Sequence, residues 1–265
     1  MFDLIDIGAN LTHDSFDKDR DEVIARAAAA GVDRMIITGA SITGSQDAVK
    51  LAAQYSDKFY ATSGVHPHHA TELDEAGLAV ITELAHNKCI VAVGECGLDY
   101  FRNFSPREAQ LKAFEQQLQI AIDAQKPVFL HQRDAHDDFI ALLKNFLPKL
   151  HGGVAHCFTG TREQMYEYLD MGFYIGVTGW ICDERRGHDL QDAVKTLPLD
   201  RVMIETDAPY LMPRDLKQKP DPRRNEPSTL PHILESLASY MNQPAETIAQ
   251  AATENTERLF KLAAD

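Results

Sequence analysis

The sequence is short of positive charge. Lysine and arginine total 26 against 40 aspartates and glutamates, a net charge of −14. That balance argues against broad coating of nucleic acid and leaves room only for a local basic site. Cysteine is sparse and scattered, at Cys89, Cys96, Cys157 and Cys182, with no Cys-x-x-Cys pair. Disulfides are therefore not expected, and the four read as small, polarizable packing residues. No apolar run is long enough to span a bilayer. The start, Met1-Phe2-Asp3-Leu4, has neither the basic residues nor the apolar run of a signal peptide. A cytoplasmic protein with no membrane partner is expected. No low-complexity tract or Gly/Ser linker divides the 265 residues, so a single domain over residues 1–265 is expected.

What is present is alternation. Leu4–Gly8, Arg34–Gly39, Phe59–Val65, Val91–Gly94, Pro127–Leu130, Gly153–Ala155, Phe173–Val177 and Arg201–Glu205 read as strands. Helical segments follow each of them, over 19–30, 45–55, 73–86, 105–124, 134–147, 161–171, 189–197, 230–240 and 245–262. Ser105, Pro106 and Glu108 carry the pattern of a capped helix start. No two strands are consecutive, which implies a parallel sheet. Eight repeats in this length predict an α/β fold, a single (β/α)8 TIM barrel, with an open doubly wound sheet as the runner-up.

In such a barrel the chemistry sits where the strands end. The expected ends are Asp6, His66, Glu95, His131, His156 and Asp207, all side chains able to hold a metal. Glu95 is expected to stop its strand between Gly94 and Gly97. Imidazole plus carboxylate suits Zn²⁺, Mn²⁺ or Fe²⁺, and a carboxylate-bridged pair of ions fits the set. Mg²⁺ fits if a substrate supplies phosphate oxygens. Asp207 reads as the base that takes a proton from water, or as a ligand to a second metal. Glu205 reads as a barrel-wall residue.

Arginines gather in the loops after the strands: Arg102, Arg133, Arg162, Arg185, Arg186, Arg214, Arg223 and Arg224. Guanidinium forks suit phosphate. Tyr100, Phe101, Phe104, Phe158, Trp180 and Tyr210 lie among them and could stack bases. Arg224-Asn225-Glu226-Pro227 reads as a further phosphate or metal contact.

Several stretches together resemble the TatD family of metal-dependent deoxyribonucleases. They are Gly64-Val65-His66-Pro67-His68, Gly94-Glu95-Cys96-Gly97-Leu98-Asp99, His131-Gln132-Arg133, His156-Cys157-Phe158-Thr159-Gly160, Glu205-Thr206-Asp207-Ala208-Pro209-Tyr210 and Arg224-Asn225-Glu226-Pro227. The resemblance implies a TIM barrel that hydrolyses DNA phosphodiesters with a divalent ion, Mg²⁺ first and Mn²⁺ or Zn²⁺ as alternatives. It implies 3′-to-5′ exonuclease action on DNA with a preference for single strands and a role in DNA repair; RNA as a further substrate and a monomeric state are separate expectations. It places Glu95, His131 and His156 on the metal, makes Asp207 catalytic and makes His66 a phosphate or additional-metal contact. The reading of the residues adds Asp207 as a further metal ligand, Glu95 as a catalytic group, and Arg133, Arg224 and Glu226 with His66 on substrate. One departure stands out. Where many members carry a histidine pair at the first strand, this chain has Gly8 and Asn10, which implies one firm ion and a second arriving with substrate. Two other readings compete: a metal hydrolase of small amides or lactones, and a protein that binds DNA without cutting it.

Overall fold

Short runs of small and β-branched residues, each buried on both sides, make the strands. The computed structural model describes residues 2–220 and 223–262. Its strands are β1 (Leu4–Ala9), β2 (Val32–Ile37), β3 (Phe59–Ser63), β4 (Ile90–Asp99), β5 (Val128–Arg133), β6 (Gly153–Ala155), β7 (Tyr174–Val177) and β8 (Val202–Ile204). The helices are α1 (Arg20–Ala29), α2 (Ile42–Gln54), α3 (Glu75–Ala85), α4 (Arg107–Asp123), α5 (His136–Phe146), α6 (Arg162–Asp170), α7 (His188–Ala193), α8 (Leu230–Met241) and α9 (Ala245–Phe260). The strands form one sheet in the order β1 to β8. β3–β4, β4–β5, β5–β6 and β7–β8 pair in parallel. Sequential order with a helix after every strand is that of a single (β/α)8 barrel, as the alternation predicts.

The chain packs as two compact units, one of Ile37–Ala155 and one of the residues up to Ile36 with those from His156 on. In the second of these the first and last strands are joined. The Asp207 N–H donates to the Gly8 carbonyl and the Asn10 N–H to the Ala208 carbonyl. Asp6 reinforces the join. Its carboxylate accepts from the backbone N–H of Gly8 and Thr206 and from the Thr206 hydroxyl.

In the Ile37–Ala155 unit, α4 works as a splint. Gln110 and Gln117 are two turns apart on one face and both are buried. Gln117 accepts from the Val65 N–H and donates to the Val65 carbonyl. It thereby fixes the chain just before His66. Gln110 accepts from the Asp99 N–H and donates to the carbonyls of Asp99 and Ser105. Beneath them Phe114 stacks on Phe139, with ring centroids 4.8 Å apart.

Three local expectations change. β4 does not stop at Glu95 but continues to Asp99, with a register irregularity between Val93 and Cys96. Gly94 and Gly97 make this continuation feasible, with φ of 139° and 148°. A Cβ on Gly97 would overlap the His131 carbonyl oxygen, and one on Gly94 that of Phe129. Asp6 and His131 likewise lie inside strands rather than at their ends. Ser105 does not cap α4, whose cap is Pro106. Its hydroxyl donates instead to the His68 carbonyl.

Gly97→Ala tests the approach of β4 to β5. A positive φ and an overlap with the neighbouring backbone together should destabilise the fold by at least about 1–3 kcal/mol. The check is a lower urea midpoint with unchanged m value. A wild-type midpoint would show that the β4–β5 spacing relaxes without cost.

Candidate active site

Glu95 points out of the irregular part of β4, buried, and meets two imidazoles. Its Oε1 lies 3.0 Å from His131 Nδ1 and 3.4 Å from His66 Nε2. These three residues place one donor atom each within 4.8 Å of one another, a group that could hold a metal ion. Behind them Asp99, almost fully buried, receives His68 Nε2 at 2.8 Å and faces His131 Nε2 at 3.6 Å. Burial opposes its charge, but the nearby His131 ring and the hydrogen bonds from His68 and the Arg102 N–H outweigh it and hold the carboxyl well below the usual range. Asp99 thus stays an anion facing His131 Nε2, while His131 Nδ1 makes the short 3.0 Å contact with the Glu95 carboxylate.

His66 is set differently. Its Nδ1 accepts the backbone N–H of His68 at 3.1 Å, so the neutral ring carries its proton on Nε2, toward Glu95. Burial drives its pKa well below the ordinary histidine value, which keeps the ring neutral. In this tautomer His66 is a donor to an anion rather than a metal ligand.

In the other unit His156 follows β6 and is buried. Its Nδ1 lies 3.0 Å from Glu205 Oε2, and the other Glu205 oxygen accepts the Cys157 N–H at 2.5 Å. Glu205 is fully buried. It is not merely barrel wall, because it fixes the ring and tautomer of His156 so that Nε2 offers a lone pair. Asp207 follows β8 with φ 53°, in the left-handed region that aspartate tolerates. Its Oδ1 accepts the Asn10 amide at 3.0 Å. Asn10, read from the sequence as a weak replacement ligand, therefore orients the candidate base.

The Arg224–Pro227 segment serves the loop itself. Arg224 donates to Asp19 Oδ1 and Oδ2 at 2.8 and 2.7 Å and to Glu226 at 2.9 Å. Arg26 makes a two-pronged contact with Glu226, at 2.8 and 2.9 Å. Asn225 donates to the Thr206 carbonyl and accepts from Thr229 and the Glu226 N–H. Several other loop arginines are also held by carboxylates: Arg162 by Asp192, Arg186 by Asp183 and Arg214 by Glu184. Arg133 instead lies 3.9 Å over the ring of Phe101, and Arg102 approaches the same ring at 5.9 Å. Phe101 and Phe104 are more than half exposed.

Sequence reasoning missed Asp99, Glu205 and His68. Asp99 and His68 stand in the quoted motifs, and their short spacing from Glu95 and His66 was the available signal. Glu205 stands in a quoted motif too, two residues before Asp207, but its place at the end of the last strand read as barrel wall.

A (β/α)8 barrel whose strand ends carry carboxylates and imidazoles, one of them oriented by a buried acid, belongs to the class of barrel hydrolases. The particular family is also defined. The model of the TatD-related DNases matches residues 5–261, and the chain belongs to that family. It is 51% identical over 260 residues to a 3′-5′ ssDNA/RNA exonuclease TatD of Escherichia coli K12, covering 98% of this chain and all of the relative. Identity to the protein of that name in Pantoea sp. is 49% over 260 residues, with the same coverage. A solved TatD homologue of Escherichia coli K12, YJJV, has the same fold, with a TM-score of 0.89 at 29% identity over 98% of both chains.

Asp6 supplies a pH test of the site's foundation. Burial pushes its carboxyl up from 3.8 to about 7, against the hydrogen bonds of Thr206 and Gly8. The folded state therefore binds this proton more tightly than the unfolded state does. Its contribution is fullest below pH 4 and is lost as pH rises to about 7. Asp6→Asn should remove this fall, worth up to about 1.4 kcal/mol per pH unit. Urea unfolding at pH 5 and pH 8 reads the difference; an unchanged gap between the two would mean that Asp6 ionises normally.

Proposed function

We propose that this chain is a metal-dependent 3′-5′ exonuclease that hydrolyses phosphodiesters of single-stranded DNA and RNA. Membership of the TatD-related DNases and half-identity to curated TatD exonucleases support the reading. The observation that carries it is the donor set at the strand ends, Glu95 against His131 at 3.0 Å and His156 oriented by buried Glu205. The proposed ligands are Glu95, His131, His156 and Asp207, all on β4, β5 or the segments just after β6 and β8. The donor chemistry fits a divalent ion. Mg²⁺ is proposed first, since phosphate oxygens of the substrate would complete its oxygen shell, with Mn²⁺ and Zn²⁺ as alternatives. When bound, the ion polarises the phosphodiester and acidifies water.

The protein's own groups do the rest. Asp207, steadied by Asn10, accepts the proton of the attacking water. Glu95 would hold the cation at the reacting centre. His66 offers its Nε2–H to a phosphate oxygen. Arg133, flat against Phe101, presents a guanidinium edge to the backbone while exposed Phe101 and Phe104 stack bases. Arg224 and Glu226, proposed as substrate contacts, act through the loop they brace. We place the enzyme in the cytoplasm as a one-domain monomer, with trimming of 3′ ends as its route into DNA repair.

The direct test is degradation of end-labelled single-stranded DNA, duplex DNA and RNA with Mg²⁺ or Mn²⁺. Stepwise shortening from the 3′ end of single strands is expected. Asp207→Asn should slow it by about 100- to 10,000-fold while retaining oligonucleotide binding. Intact substrates with every ion would overturn the assignment.

Glu205→Gln tests the oriented imidazole. One of the two donors, His156 Nδ1–H or the Cys157 N–H, must then face an amide NH₂. Metal affinity should fall about 10- to 100-fold, read by titration calorimetry, with the far-ultraviolet circular dichroism unchanged. Wild-type affinity would remove His156 from the metal.

A further inference from the structure

A second group of metal-binding side chains lies away from the residues assigned above. Cys182, Asp215 and His232 each place one donor atom within 4.8 Å of the others. They come from three separate segments: the turn Gly179–Cys182 after β7, the chain following β8, and the first turn of α8. His232 Nε2 lies 2.7 Å from Asp215 Oδ1. The Cys182 thiol is buried and donates to the Ser236 hydroxyl at 3.3 Å. Ser236 is one turn beyond His232 on α8, so both face the same spot.

From this geometry we infer an ancillary transition-metal site, with Cys182, Asp215 and His232 as ligands and Zn²⁺ as the ion the donors suit. A sulfur, an imidazole nitrogen and a carboxylate oxygen are the donors zinc takes, with water in the remaining tetrahedral position. On binding, the thiol gives up its proton to solvent and the Ser236 hydroxyl turns to donate to the thiolate. Without a cation, burial and the nearby Asp215 carboxylate push this thiol up to about 12, so it is inert at neutral pH.

The placement has a use. No helix or strand of four or more residues interrupts the chain from Glu205 to Glu226 among the described residues, an unusually long stretch for a compact domain. Asp207 opens that stretch, and Arg224 and Asn225 anchor its far end. A metal tying Asp215 to the β7 turn and to α8 would fasten its middle. The clip is independent of the exonuclease reading, since it shares no residue with the proposed catalytic centre.

The test strips the full-length protein with chelator and titrates it with Co²⁺, then Zn²⁺. A near-ultraviolet thiolate-to-cobalt charge-transfer band is expected, bleached by Zn²⁺. It should persist in a Glu95→Ala, His131→Ala double variant and vanish in Cys182→Ser. His232→Ala, a change at the helix surface, should weaken Co²⁺ binding at least tenfold, and it carries the test if Cys182→Ser fails to fold. Absence of the band in the wild type would overturn the site. So would a band that survives Cys182→Ser, or undiminished affinity in His232→Ala.

Discussion

The close approach of β4 to β5 governs the Ile37–Ala155 unit. Gly97 is paired with His131, and Gly97 has no Cβ to strike the His131 carbonyl. Only because the two backbones lie this near can Glu95 and Asp99, four residues apart on one strand, face the same imidazole. A regular strand would send residues 95 and 99 to one face at even spacing. The irregularity at Gly94 re-aims Glu95 toward His66 and His131. The carboxylate cost of burial is offset there by two ring nitrogens rather than by a lysine or arginine.

The same logic recurs at His156. There a buried acid takes one ring nitrogen and leaves the other to the site. Glu205 differs from Asp99 in what else it holds, because it also accepts the Cys157 N–H. It therefore fixes the backbone turn and the ring together. Asn10 treats Asp207 likewise from the first strand. Each proposed catalytic group is thus held by a neighbour whose own position comes from the sheet. Orientation of this kind lowers the entropy lost when substrate and ion arrive.

Much of this was legible in the sequence because periodicity reports burial directly. The eight strands follow from apolar runs, and Glu95, His131, His156 and Asp207 follow from the unusual pairing of such runs with metal-competent residues. What periodicity does not report is who receives which proton. Asp6 reads as a site residue, yet it is consumed by Gly8 and Thr206. Glu205 reads as wall, yet it sets a tautomer. Gln110 and Gln117 drew no reading from the pattern, yet their buried amides bind the backbone beside Val65 and Asp99. A hydrogen bond between residues fifty positions apart leaves no local pattern.

The arginines show how far charge counting goes. Their crowding in the loops of an acidic chain suggested phosphate binding by numbers. The structure sorts them by partner. Arg162, Arg186, Arg214 and Arg224 are paired with carboxylates, most of them from another segment, so their first effect is to tie irregular chain to its neighbours. Arg133 and Arg102 lie on an exposed phenylalanine ring instead. A guanidinium held by a ring face keeps its edge donors available, whereas one clasped by a carboxylate must break a charge-assisted bond before it can greet a phosphate. Substrate affinity in this protein should therefore depend on few arginines, and on the aromatic surface that carries them, more than on the local sum of charge.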